Sequence, residues 1–140
     1  MKRSVLVDTG PLLALLDARD RYHSWVRAQF AVVEPPLLTC EAVLTEACYL
    51  ASRELGSSAS LLSLFSNGVV RLSFSLLDNW QEVCGLMRRF SNVPMSLADA
   101  CLTRMSELSD DRVLLTMDSD FHVYRRHGRK CIPLLIPPSS

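Results

Sequence analysis

Long apolar runs, a charge imbalance and paired cysteines are all missing from this 140-residue sequence, and each absence removes a class of protein. No stretch approaches the ~18 consecutive apolar residues that a membrane-spanning helix needs. Near the start, Val5-Leu6-Val7 and Leu12 to Leu16 superficially resemble a secretory leader, but Asp8 and then Gly10-Pro11 interrupt the apolar segment. The five cysteines (Cys40, Cys48, Cys84, Cys101, Cys131) are odd in number and contain no C-x-x-C pair. They read as small core residues in a reducing compartment, and the protein as cytoplasmic. His23, His122 and His127 are scattered without metal-ligand spacing, so structural or surface positions are expected for them. The five glycines form no phosphate-binding loop, and no G-x-S-x-G elbow is present for a serine hydrolase. Fifteen Lys and Arg balance fifteen Asp and Glu, which excludes a strongly basic coat or an acidic tail. It does not exclude nucleic acid as a substrate, because a net charge does not say where the charges lie.

What remains is an ordinary globular composition, 49% hydrophobic and 21% charged, of a length that suits one domain spanning residues 1–140. The β-branched run at 4–7 reads as a buried strand ending at Asp8. Gly10-Pro11 opens a helix with Leu12 to Leu16 as its core face, proline suiting the first helical turn. A second helix is expected over 23–33, stopped by Pro35-Pro36, then a brief strand at 37–39 and a long helix over 41–55. Ser57 or Ser58 caps a further helix to Phe65, and Asn67-Gly68 turns into a strand at 69–74. Helices follow over 77–90 and 96–108, a strand at 113–116, a short helix at 121–126 and a last strand at 132–136 before a Pro-Pro-Ser-Ser tail. Five short apolar strands alternating with helices predict an α/β fold, its central, mainly parallel, twisted sheet covered by helices on both faces.

Ligands bind such sheets beyond the carboxyl ends of the strands. Asp8 closes the first strand, and Asp118 and Asp120 follow the fourth. Asp8 and Asp120 are equally well placed to cap the helices that follow them. Glu46 is the only charge in the ten residues from Ala42 to Ala51, and a helix that apolar is expected to be buried, where a carboxylate needs a cation or strong hydrogen bonds. Glu41 lies about 140° around the same helix and reads as a first-turn residue favoured by the helix dipole. Asp99 has capping-box spacing from Ser96, yet it too is a lone carboxylate among Leu97, Ala98, Ala100, Cys101 and Leu102. Several carboxylates gathered together repel one another unless a cation sits among them. Oxygen ligands without convergent His or Cys select Mg²⁺ or Mn²⁺, and such a site suits in-line displacement at phosphorus.

Four segments carry a resemblance: Val5 to Asp17 (VLVDTGPLLALLD), Leu44 to Leu50 (LTEACYL), Ser96 to Cys101 (SLADAC) and Leu115 to Phe121 (LTMDSDF). In order and spacing they resemble the PIN-domain family, and in particular the VapC-like toxins, the ribonuclease halves of bacterial toxin–antitoxin pairs. The resemblance covers essentially the whole chain. It implies a PIN-like fold and a Mg²⁺- or Mn²⁺-dependent endoribonuclease, with Asp8, Glu46, Asp99 and Asp118 as catalytic and metal-binding quartet and Asp120 as a fifth metal-site carboxylate. Thr9 and Thr116 would line the pocket. A homodimer and a small antitoxin partner are further implications, and family members that are nucleases without a toxin role share the pattern.

The only basic cluster, Tyr124 to Lys130, follows the Asp118 loop. Arg125, Arg126, Arg129 and Lys130 could steer an RNA backbone toward the pocket, or form a solvated turn before the last strand. Trp25 and Trp80 are expected in the core or a dimer contact. A competing class is an aspartate-based phosphate-handling domain, either a signalling module or a phosphatase. A phosphatase of that kind usually has a second Asp two residues after the first, where this chain has Gly10, and a signalling module leaves Glu46 and Asp99 unexplained.

Overall fold

The structure, a computed structural model, describes residues 3–138, so Lys2 and the last two residues of the expected tail lie outside it. Strands β1 (Ser4–Val7), β2 (Leu37–Thr39), β3 (Val70–Leu72), β4 (Arg112–Leu115) and β7 (Leu134–Leu135) form one parallel sheet in the order β3-β2-β1-β4-β7. Leu6, Val7, Leu114 and Leu115 are wholly buried, as expected of central parallel strands covered on both sides. Helices α1 (Thr9–Leu16) and α2 (His23–Val32) link β1 to β2, α3 (Glu41–Glu54) and α4 (Ala59–Ser66) link β2 to β3, and α5 (Trp80–Arg89) and α6 (Leu97–Glu107) link β3 to β4. The chain moves outward along the sheet through the first two links and back across it in the third. Right-handed crossovers therefore put α1 to α4 on one face and α5 and α6 on the other. Between β1 and β4 the chain leaves neighbouring strands in opposite directions, which opens a crevice at their carboxyl ends.

Most elements lie where the sequence pattern puts them, and the differences have identifiable causes. The expected helix 77–90 is split into a 3-10 turn, Leu77–Asn79, and α5. The expected strand 132–136 is paired only at Leu134–Leu135, since Pro133 and Pro137 have no N–H to donate to a ladder. The expected helix 121–126 is replaced by a 3-10 turn, Ser119–His122, and a hairpin of β5 (Arg125–Arg126) with β6 (Lys130–Cys131). That hairpin turns through His127 and Gly128, both at positive φ. The strained His127 is held by its N–H donating to Glu107 Oε2 at 2.7 Å and by Nε2 lying 3.4 Å from Asp110. Cys40 and Cys101 are buried, whereas Cys131 is exposed. Trp25 packs against the core, but Trp80 is exposed. His23 contacts the Ala14 carbonyl at 2.7 Å, a structural position. Among the described residues no helix is long and apolar enough to cross a membrane.

Candidate active site

The crevice between β1 and β4 is a cleft of about 480 Å³. Asp8, Thr9, Glu46, Asp99, Asp118 and Asp120, drawn from four separate parts of the chain, all line it. Asp8 is 8% exposed and sits where β1 becomes α1, its N–H bonded to the Leu115 carbonyl of β4 at 3.0 Å. One carboxylate oxygen accepts the Thr9 N–H at 2.8 Å, so Asp8 both caps α1 and faces the cleft. The other accepts the Thr116 hydroxyl at 2.8 Å. Thr116 Oγ1 in turn accepts the Asp118 N–H at 3.0 Å, and Asp118 Oδ1 accepts the Asp120 N–H at 2.9 Å. This relay locks the ends of β1 and β4 together and fixes two carboxylates at once. Asp118, rather than Asp120, is thus the cap of the short 3-10 turn. Thr116, expected on the pocket wall, is wholly buried behind Asp8 and acts through it.

Asp99 realises the capping box read from the sequence. Its Oδ2 accepts the Ser96 N–H at 3.1 Å, and its own N–H donates to Ser96 Oγ at 3.0 Å. The same carboxylate accepts the Tyr124 hydroxyl at 3.2 Å. Tyr124 is fully buried, edge-on to Phe90 and Phe121 with ring centroids 5.4 and 5.2 Å away, so its hydroxyl is a rigid anchor for Asp99. Its burial and the nearby Asp99 charge push the phenol up, keeping it a donor.

Glu46 departs from expectation in its surroundings. Helix α3 buries only Val43, Ala47 and Ala51, and Glu46 is exposed, on the open side of the helix where it borders the cleft. Two further carboxylates, Asp20 and Glu54, line the cleft without having been singled out. Glu54 was within reach of pattern reading, because Glu46, Leu50 and Glu54 repeat every four residues and so form one helical stripe. Asp20 sits in the loop between α1 and α2, where no periodicity marks it.

Crowding leaves an electrostatic mark. Burial raises the Asp8 carboxyl to about 6 against the pull of its two hydrogen bonds, and Asp99 and Asp118 add repulsion. Glu46 and Asp99 are also raised, chiefly by loss of solvent and then by neighbouring carboxylates. Thr9 Oγ1 is buried without a hydrogen-bond partner at the same spot, near enough to Glu46 to favour its charge slightly. Among the described residues no three Asp, Glu, His or Cys side chains already stand in metal-holding geometry. The donor set nonetheless fits a hard divalent cation: oxygen only, anionic, mutually repelling, with one orphaned hydroxyl in reach.

The basic cluster lies off the cleft wall. Arg125 Nη1 is spent on the carbonyls of His122, Val123 and Tyr124, and Arg126 Nη1 donates to the Ser106 carbonyl at 3.0 Å. Arg129 and Lys130 are exposed.

Comparison with known proteins accords with this arrangement. The family model described as "PIN domain" matches residues 5–126. The crystal structure of VapC20 from Mycobacterium tuberculosis, described as a Sarcin-Ricin loop cleaving toxin, superposes with a TM-score of 0.77 at 23% identity, over 86% of this chain and 94% of that one. At that identity the likeness speaks for the fold. No curated protein sequence matches the chain.

Proposed function

The chain belongs to the PIN-domain family, and from that premise we propose that it is a divalent-metal-dependent endoribonuclease that hydrolyses RNA phosphodiester bonds at the carboxylate cleft. The observation that carries this reading is the convergence of Asp8, Glu46, Asp99 and Asp118 on one cleft at the switch point of the sheet. Asp8, Glu46 and Asp99 hold their protons more tightly than usual, first through loss of solvent and then through the charge of neighbouring carboxylates.

Asp8, Glu46, Asp99 and Asp118, with Asp120 beside them, would hold Mg²⁺ or Mn²⁺. A bound ion of this kind acidifies water and offsets the charge that builds on phosphorus. The protein's own contribution is rigidity. Thr116 and the Thr9 N–H aim Asp8, Ser96 and Tyr124 aim Asp99, and the Asp120 N–H aims Asp118. Preorganised groups of this sort need little rearrangement as charge develops. Thr9 Oγ1, buried and unpartnered, is free to donate to a phosphate oxygen or a water in the cleft.

The fold shared with the VapC20 toxin supports a place as the toxin of a toxin–antitoxin pair, working in the cytoplasm with a small antitoxin as partner. A homodimer belongs to the same reading. The test is RNA cleavage by the purified protein in Mg²⁺ or Mn²⁺, beside the Asp8→Asn and Asp99→Asn variants. Cleavage that stops with EDTA and in both variants is the expected result; cleavage indifferent to all three sinks the mechanism. A short neighbouring reading frame whose product suppresses both the cleavage and the growth defect distinguishes a toxin from a nuclease of another role.

A further inference from the structure

A second hollow of about 390 Å³ adjoins the carboxylate cleft, and the Met117 side chain borders both. The segment after β4 is divided between them: Asp118 and Asp120 face the cleft, while Ser119 and His122 face the hollow. The loop between α1 and α2 is divided in the same way, with Asp20 on the cleft and Tyr22 on the hollow. Its lining is chemically unlike the cleft's. Among the described residues no carboxylate borders it, and its lining includes Tyr22, Met117 and Pro137, with His122 and Ser119 as further hydrogen-bonding members. That combination does not suit a cation or a bare phosphate. It suits a flat, weakly polar ring with hydrogen-bonding edges, which is what an unstacked nucleobase presents. Arg21 lies over the Tyr22 ring, 5.1 Å from its centroid, and brings a positive charge to the same loop where a polyanion's backbone would pass.

We propose that this hollow seats the base of the nucleotide adjoining the scissile phosphate, with Tyr22 as its stacking surface and His122 and Ser119 reading its edge. The proposal rests on the ribonuclease reading and deepens it, since the two cavities share the loops that carry the catalytic carboxylates. The residue common to both cavities, Met117, makes the hollow the neighbouring recess for a base whose backbone crosses the cleft.

Steady-state cleavage of short oligoribonucleotides that vary the nucleotide on each side of the cut bond tests this, for the wild type, Tyr22→Ala, Tyr22→Phe and His122→Ala. Tyr22→Ala is expected to raise KM roughly tenfold or more with a smaller change in kcat, the scale of losing one base–aromatic stack, and Tyr22→Phe to restore it. His122→Ala should flatten the base preference at one of the two positions, and because that side chain is exposed the comparison does not depend on folding. A second reading is free of turnover: 2-aminopurine at the adjoining position should be quenched on binding Asp99→Asn protein and far less on binding Asp99→Asn with Tyr22→Ala. A kcat/KM within twofold of wild type for Tyr22→Ala and His122→Ala across the panel overturns the base site alone. A wild-type protein that cuts no RNA overturns the base site and the ribonuclease reading together.

Discussion

Replacing Asp8 by Asn should make the metal-free protein more stable at neutral pH, although it removes a residue at the centre of the site. The reasoning starts from burial. The native state holds the Asp8 proton up to about pH 6, whereas the ordinary value for a free side chain is 3.8. Between those values the native state binds more protons than the unfolded chain, so unfolding free energy falls as pH rises. The stability is fully present below about pH 4 and is lost by the time pH has passed 6. A shift of about two units corresponds to about 3 kcal/mol at most. Asparagine keeps one local bond, its amide oxygen accepting the Thr9 N–H, and loses the other, since its NH₂ cannot accept the Thr116 hydroxyl, which is left without its acceptor at a cost of about 1 kcal/mol. The net expectation is a gain of about 2 kcal/mol at pH 7.5, or roughly 4–8 °C in Tm for a chain of this size. Thermal unfolding in EDTA at pH 4 to 8 measures it as the difference between variant and wild type, which should rise by about 3 kcal/mol across the window, from about 1 kcal/mol unfavourable at pH 4 to its full favourable value. Saturating Mg²⁺ or Mn²⁺ should then reverse the ranking, because only the intact site gains binding free energy, about 2.7 kcal/mol at a hundredfold excess over Kd. A variant less stable than wild type in EDTA at pH 7.5, or a difference that does not change with pH, would refute the reasoning.

Asp99 should separate capping from chemistry: Asp99→Ala removes the acceptor of the Ser96 N–H, one half of the capping box of α6, and the acceptor of the buried Tyr124 hydroxyl, costing about 2 kcal/mol in urea unfolding, while Asp99→Asn stays within about 1 kcal/mol of wild type and both lose RNA cleavage. Gly10→Ala places a Cβ 3.3 Å from the flexible Met117 Cε in the first turn of α1, so Met117 yields and the helix gains up to about 1 kcal/mol; a Tm several degrees lower would mean that Met117 is locked. Arg126→Ala abandons the Ser106 carbonyl and should cost about 1–3 kcal/mol, whereas Arg129→Ala, on an exposed side chain, should leave unfolding unchanged.

The sheet was legible because its strands are short apolar runs that need no partner to be recognised, and the rule that ligands bind beyond the carboxyl ends of strands then singled out Asp8 and Asp118 before any contact was known. The Ser96–Asp99 capping box was legible for the same reason, being local. What escaped depends on distant residues. Residues 121–126 have a locally acceptable helix pattern, but Tyr124 is drawn between Phe90 and Phe121, Arg126 to Ser106 and His127 to Glu107, and these contacts pull the segment into a hairpin. Tyr124 as the anchor of Asp99 was hidden likewise, since the two lie 25 residues apart. The apolar composition around Glu46 suggested burial on all sides, yet small residues suffice for the packed face of α3 and leave Thr45, Glu46 and Tyr49 exposed.

The even balance of charge has a different meaning once the cleft is resolved. Seven of the fifteen carboxylates, Asp8, Asp20, Glu46, Glu54, Asp99, Asp118 and Asp120, line one cleft, which leaves eight to face the fifteen Lys and Arg of the rest of the chain. Charges more than a Debye length apart, about 8 Å at physiological salt, are largely screened from one another. An approaching polyanion therefore meets a basic exterior before it senses the acidic interior. At the cleft itself the balance reverses, and a phosphate is repelled unless a cation offsets the carboxylates. On the proposed function, RNA and metal must then bind with positive coupling, each raising the affinity for the other by the same factor. The neutrality of the sequence is the sum of two opposed regions, and on the proposed function their separation lets one protein attract a nucleic acid and yet hold it at the reacting position only when the metal is there.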